Sequence, residues 1–446
     1  MMSQFTLEDL LTIRKQMASD PHRPGYHFLS PHNWMNDPNG LFYWQGRYHL
    51  FYQYNPNGPM WGDIHWGHAS SKDLIHWQDH PLALTPEPGG GDAEGCWSGC
   101  VIKSGDQPAA IYTGYTHPDE TPIMLAHAQD ADLINWQKSP YNPIIKGAPE
   151  GVITTLFRDP YVWKDGQRWL MAVGAGMRDG QCAILRYQSN NLVDWTYEGP
   201  LFKARINPTV SMWECPNFFR LDDYDVLLVS LFPDIQGVYY YIGNEDGQIF
   251  SPQSEGYLEI GTVFYAPHVR QFDDGRTLLF AWLMEGRSTS AIEAAGWAGV
   301  QSLPRELSLD EHQRLVSLPA REVRALRKQE VVFEDIALNP TERIKIPIGG
   351  KHLEIEVIVQ SESGVVGLEV LSSPNGEEKT CIKFDARNGM GELDTRQSSL
   401  SKEVQTNIYS RSLADGGDGL CRFRVFVDAS VIEVWFNESL SISGRA

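Results

Sequence analysis

Basic residues are scarce in this chain. Its 446 residues include 57 Asp and Glu against 37 Lys and Arg, a net charge of −20 at pH 7. Nucleic acids and anionic membrane surfaces both call for a basic footprint, so neither is expected as a partner. Cysteine is scarce too: Cys96, Cys100, Cys182, Cys215, Cys381 and Cys421 are scattered and make no CxxC pair. In so long a chain that spacing excludes a disulfide framework and predicts buried thiols in a reducing compartment. No uninterrupted apolar run is long enough to span a bilayer. The first twenty residues, MMSQFTLEDLLTIRKQMASD, mix charges with apolar residues at helical spacing. They predict an amphipathic helix capped near Thr6 and lack the apolar centre of a signal peptide. The expected location is the cytoplasm.

What the chain does have is repetition. SKDLIHW ends at Trp77, DADLINW at Trp136 and SNNLVDW at Trp195, and the two Trp spacings are both 59. A second pattern runs in step: a short start, an apolar strand, a polar turn and another apolar strand. Its copies begin DPNGLFYW at Asp37, SGCVIKSG at Ser98, DPYVWKDG at Asp159, CPNFFRLD at Cys215 and APHVRQFD at Ala266, at intervals of 61, 61, 56 and 51. The turns, such as Trp44-Gln45-Gly46-Arg47, read as hairpins. Four copies carry Pro second, where the start of a strand tolerates a missing N–H. Five all-β units of this length predict a five-bladed β-propeller around a central channel, with a solenoid as the competing architecture. After Leu307 the pattern changes. Alternating strands without the blade signature (KHLEIEVIVQ, SGVVGLEVLS, CRFRVFVDASVIEVWFN) predict a second all-β domain, a C-terminal β-sandwich. The expected boundaries are an N-terminal helical extension over 1–25, the propeller over 26–316, a partly helical linker over 317–338 and the sandwich over 339–446.

An isolated Asp-Pro such as Asp37-Pro38 is ordinarily a capped loop. The repeat changes its weight. Asp37 and Asp159 occupy the same position in the first and third copies, and Glu214 lies one residue earlier in the fourth. Equivalent positions of different blades share a radius and a height, so the three acids should converge on one mouth of the channel. Close, buried carboxyl groups raise one another's pKa and divide into ionised and protonated forms near neutral pH. Glycosidic bond cleavage needs that division, with retention or inversion set by the spacing of the carboxyl groups. A sugar-binding propeller without chemistry is the alternative. Trp34, Trp61, Trp97, Trp213, Trp282 and Trp297 lie at or beside blade starts and ends, where aromatic faces can stack on sugars. Trp77, Trp136 and Trp195 are expected in the core. Asn36, Gln53, Ser98 and Arg158 offer hydroxyl-recognising groups near the acids.

Taken together, WMNDPNG, WGDIHWGHA, WSG, FRDP, WECP, FYAP and GWAGVQSLPREL make the chain resemble glycoside hydrolase family thirty-two: invertases, sucrose-6-phosphate hydrolases and fructanases. The resemblance covers residues 26 to 310 and extends more weakly to FRVFVDASVIEVWFN. It implies a propeller followed by a sandwich, a retaining mechanism on a fructosyl unit, and no metal or cofactor. It also implies residue roles. Asp37 would attack the anomeric carbon, Glu214 would act as acid and then base, and Asp159 would hold fructose hydroxyls. Trp34, Asn36, Gln53, Trp61, Trp97, Ser98 and Arg158 would line the fructose site, with Tyr265 and Trp282 on the far wall. Three residues depart from the family pattern: Val263 replaces an acid, Trp97 a Phe and Asn217 an Asp. These bear on the outer subsites.

The expected activity is hydrolysis of the terminal β-D-fructofuranoside of sucrose to glucose and fructose through a covalent fructosyl-enzyme. Alternatives are sucrose 6-phosphate hydrolysis, fructan hydrolysis or transfructosylation, an inverting arabinan- or xylan-cleaving propeller, and a fructan-binding propeller without catalysis. The expected partner is a small neutral sugar, and homo-oligomerisation stays open. Other signals count for less. His65 and His68 in HWGH lack a clear third ligand and are expected to pack or hydrogen-bond. GAGMRDG over 174–180 opens no helix, which argues against a nucleotide loop. Asn437-Glu438-Ser439 is a formal glycosylation triplet. Asp428 and Glu433, on alternating strand positions, are expected to face solvent.

Overall fold

A computed structural model describes residues 6–116, 120–233, 237–362, 364–413 and 419–446, except for the side chain at 260. The N-terminal helix Leu7–Met17 starts at Thr6, whose side chain and that of Asp9 cap each other's backbone N–H groups. Arg14 ties this helix to the propeller, pairing with Asp79 and donating to the Leu29 carbonyl at 2.6 Å.

Five four-stranded antiparallel blades follow, radially arranged as in a propeller. Their innermost strands are Asn33–Trp44, Gly95–Ser104, Val152–Asp165, Met212–Leu221 and Phe264–Gln271. The ring closes by a return of the chain. Trp297–Ala298, reached from blade five, pairs in parallel with Asn33 and Trp34 of blade one.

Local chemistry accounts for the repeat. Trp77, Trp136 and Trp195 each donate an indole N–H to the carbonyl of the Leu three residues earlier, at 3.0, 2.8 and 2.9 Å. Those leucines, Leu74, Leu133 and Leu192, have φ of 64, 56 and 67° and are buried. A carboxylate or amide just before them (Asp73, Asp130, Asn191) accepts the N–H groups of the turn. The unit therefore turns the chain between the third and fourth strands of three successive blades. The first hairpin has positive φ at both Gln45 and Gly46, the geometry that suits the strand twist.

The sandwich packs the sheet His352–Gln360, Leu420–Asp428, Val431–Phe436, Leu440–Arg445 on the sheet Val365–Val370, Thr380–Asp385, Met390–Asp394, Ile408–Ser412. Phe423, Val425, Ile432, Val434 and Ile442 meet Ile382, Phe384 and Leu393 in its core. The first of these sheets runs on into blade four, because Phe250–Ile260 pairs in parallel with Leu440–Arg445 at Glu259 and Ser441. A short 3-10 helix, Arg321–Leu326, joins the two domains. Regular sandwich structure begins at His352 rather than near Asn339; Pro340, Pro347 and the pair Gly349-Gly350 interrupt strand pairing before it.

One expectation is overturned. Asp428 and Glu433 do not face solvent; both are fully buried. Strand alternation placed them outward from the sandwich core, and that outward face is covered by the propeller and by residues 25–27.

Candidate active site

Each innermost strand is interrupted at the same place. Pairing with its neighbour skips between Met35 and Pro38, Cys96 and Gly99, Glu214 and Asn217, and Tyr265 and His268, and opposite Arg158 to Tyr161 in blade three. Such bulges re-aim side chains. Each gap of two residues contains the first residue of a sequence copy: Asp37, Ser98, Asp159, Cys215 or Ala266. Asp159, Cys215 and Ala266 have φ of 66, 45 and 48°, unusual for residues with a Cβ and of a kind that gathers at functional sites.

These positions ring the axis; Ser98, Asp37, Cys215 and Asp159 are linked in an open chain of contacts, and the Ala266 N–H donates to the Ser230 hydroxyl at 3.0 Å. Ser98 donates to Asp37 Oδ2 at 2.6 Å, Gln53 Nε2 to the same oxygen at 3.3 Å, and Asn36 Nδ2 to Oδ1 at 3.2 Å. The Cys215 thiol lies 3.5 Å from Asp37 Oδ2 and 3.6 Å from Asp159 Oδ2, while the Cys215 N–H donates to Asp159 at 3.0 Å. Arg158 places Nε and Nη2 at 3.0 and 2.7 Å from Glu214 Oε1, and the Tyr265 hydroxyl lies 2.5 Å from Oε2. The three acids of the sequence analysis thus meet at one end of the axis. Burial, opposed by the Ser98 hydrogen bond and reinforced by the Glu214 charge, pushes Asp37 up to about 6. Burial also raises Asp159, against the pull of Arg158 and with the push of Glu214 and Asp37.

The other expected residues surround this ring. Trp34 donates to Asn36 at 2.8 Å and meets Trp282 edge-on at 5.7 Å. Trp97 stacks on Tyr115 at 4.3 Å, with Trp61, 53 % exposed, edge-on to it at 5.8 Å. Trp213 and Trp297 are fully buried instead: Trp213 stacks on Phe202, and Trp297 lies beneath Arg287. Further along the axis Pro38, Pro160, Pro216 and Pro267 help to line a cavity of only about 10 Å³. That is room for a single water. That cavity is too small for a sugar.

Two residues escaped the sequence reading. Cys215 was legible as a ring position, since it opens the fourth copy, but a lone thiol signals nothing by itself. Gln301, fully buried, donates to the Asn36 carbonyl at 2.7 Å and carried no signal beyond its motif. His65 and His68 behave as expected: His65 bonds to the Asp63 carbonyl at 2.7 Å, and His68 stacks on Phe51 and lies tilted against His80.

Residues 27–319 match the N-terminal domain model of glycosyl hydrolases family 32, and residues 322–446 match that family's C-terminal model. The chain belongs to glycoside hydrolase family 32. It is 32 % identical to a sucrose-6-phosphate hydrolase of Zymomonas mobilis, covering 97 % of this chain and 88 % of that one. It is 34 % identical to a cell wall β-fructofuranosidase of Pisum sativum, covering 97 % and 90 %. Fructan 1-exohydrolase IIa of Cichorium intybus superposes with a TM-score of 0.87 at 29 % identity, covering 96 % of this chain and 91 % of that one. A Bombyx mori β-fructofuranosidase solved with sucrose superposes at 0.80 and 29 %, covering 98 % and 92 %. This family 32 member is therefore a glycoside hydrolase with a five-bladed propeller and a β-sandwich. Among its described residues no helix is long and apolar enough to cross a membrane.

Proposed function

We propose that the enzyme cleaves the terminal β-D-fructofuranoside bond of sucrose with retention. The observation that supports this most is the convergence of Asp37, Asp159 and Glu214 at one end of the propeller axis, beside Trp34 and Trp282. The relatives named for fructosides supply the identity of the sugar. The Asp37 carboxylate attacks C2 of the fructosyl unit. The C2–O bond breaks as Glu214 gives a proton to the departing glucosyl oxygen. Glu214 then takes a proton from water, whose oxygen displaces Asp37 from C2 and restores the free carboxylate. Asp159, held by the Cys215 N–H, accepts from fructose hydroxyls and stabilises the positive charge that develops at the anomeric centre. Ser98, Gln53 and Asn36 orient the nucleophile through its two oxygens. All six cysteines are free, which suits action in a reducing compartment.

Sucrose 6-phosphate is the second reading, favoured by the bacterial relatives that carry its name. Product analysis on sucrose, sucrose 6-phosphate, raffinose, inulin and levan tests both. The expected result is β-fructose as the first product, with the highest kcat/KM on sucrose. A higher kcat/KM on the phosphate reverses the substrate order. Release of the α-anomer rules out retention.

A further inference from the structure

We infer that Asp428 and Glu433 of the sandwich are positioning residues for the Asn36–Asp37 corner of the active site. The inference rests on reading Asp37 as a catalytic residue.

Asp428 fixes the segment that leads into blade one. Its oxygens accept the backbone N–H groups of Gly25, Tyr26 and His27 at 2.7, 2.8 and 2.8 Å, and lie 2.8 Å from His27 Nδ1. Glu433 takes the other side of the same imidazole, 2.9 Å from Nε2. It also fixes the end of the blade-five excursion, accepting the Leu303 N–H at 2.7 Å and pairing with Arg305. Gln301 joins the two fixed segments. Its backbone N–H donates to the Phe28 carbonyl at 2.8 Å, and its side chain to the Asn36 carbonyl at 2.7 Å. Asn36 in turn donates to Asp37. Hydrogen bonds joined by the backbone of residues 27–28 and 301–303 thus lead from two sandwich carboxylates to the nucleophile.

Stability alone is a poor reason for this arrangement. Burying ions costs several kcal/mol each, and apolar side chains of similar volume often hold an interface as well. Ions that accept from several directions at once supply fixed geometry. The groups facing His27 are Asp428, Glu433 and the stacked Tyr26 ring, 5.0 Å away; Arg305 backs Glu433, and His352 touches Asp428 from the surface. His27 is raised to about 9 by the hydrogen bonds and charges of the two carboxylates, which outweigh its burial, so it holds its charge at neutral pH.

The test is kinetic. Asp428→Asn and Glu433→Gln keep the shape and remove the charge. Each is expected to lower kcat about tenfold or more with KM within about threefold of wild type, since small misplacements at a reacting centre cost rate. Each is also expected to move the acid limb of kcat/KM upward, because the Asn36 hydrogen bond holds Asp37 down. Gln301→Leu, which leaves the ion network intact, should move the limb the same way, and its effect should be less than multiplicative with Glu433→Gln. Lys383→Gln, which breaks a sandwich ion pair away from this network, is the control and should match wild type. Folding is read by circular dichroism. An acid limb that coincides with wild type in a folded carboxylate variant overturns the inference, as do fully multiplicative effects. If both carboxylate variants fail to fold, Gln301→Leu decides alone, and an unmoved limb there is fatal. Every quantity is a ratio to wild type on whichever fructoside it cleaves, so a wrong substrate cannot be mistaken for a wrong path.

Discussion

In the proposed mechanism Asp37 must be ionised to attack carbon, yet its surroundings favour its acid form. Burial raises it to about 6, so kcat/KM should climb with pH through that value. Asp37→Asn should abolish turnover, by at least about a thousandfold, while the fold and sugar binding persist. The same variant should also be more heat-resistant than wild type at pH 7. A carboxyl whose folded pKa lies above its unfolded one contributes stability at low pH and loses it as pH rises through about 6. The amide escapes that loss, so calorimetry at pH 7 and pH 5 should show its advantage shrinking on acidification. Glu214→Gln should hurt substrates with poor leaving groups most, because it withholds the leaving group's proton. Equal losses on sucrose and on an activated aryl fructoside would remove Glu214 from that role.

At the level of the element, the site depends on five bulges and one return strand. The gap positions Asp37, Ser98, Asp159, Cys215 and Ala266 were readable because the repeat fixes phase, and phase within a blade fixes radius and height. The LxxW turns were readable because their hydrogen bonds span only three residues. The bulges themselves, and the positive φ at Asp159 and Cys215, left no local mark beyond the following proline. Asp428 and Glu433 were misjudged for a related reason. Period-two alternation tells which strand face a residue takes, and their covering partners, His27 and Arg305, are more than a hundred residues distant in the chain. The return strand has its own weak point. Gly299 has φ +80°, and a Cβ there would sit 1.8 Å from the Met35 carbonyl oxygen. Gly299→Ala must push the neighbouring strand off Met35, next to Asn36. It should lower both the melting temperature and kcat, with a stability loss above the about 1 kcal/mol that a Gly-to-Ala exchange involves elsewhere.

For the whole molecule, the junction of propeller and sandwich sets the response to alkali. His27 is raised from its ordinary value by the carboxylates, so its contribution to stability is complete below about pH 6.5 and is lost as pH rises through about 9. Asp428, held down to about 2 mainly by His27 and backbone N–H groups against its burial, keeps its contribution across that range. The melting temperature should therefore fall between pH 7 and 10. Glu433→Ala, which strips a charge partner from both Arg305 and His27, should cost about 3–5 kcal/mol.

The strand Phe250–Ile260 ends blade four, yet it does not end its sheet. Pairing passes across it into the sandwich at Glu259 and Ser441, so swinging or detaching either body breaks that bridge. A scanning calorimeter should record a single heat-absorption peak, with the catalytic and accessory halves melting as one cooperative unit. Two resolved peaks would mean that this seam is cosmetic. If the single peak holds, the angle between the halves is frozen, and a substrate that touches both must fit one fixed spacing.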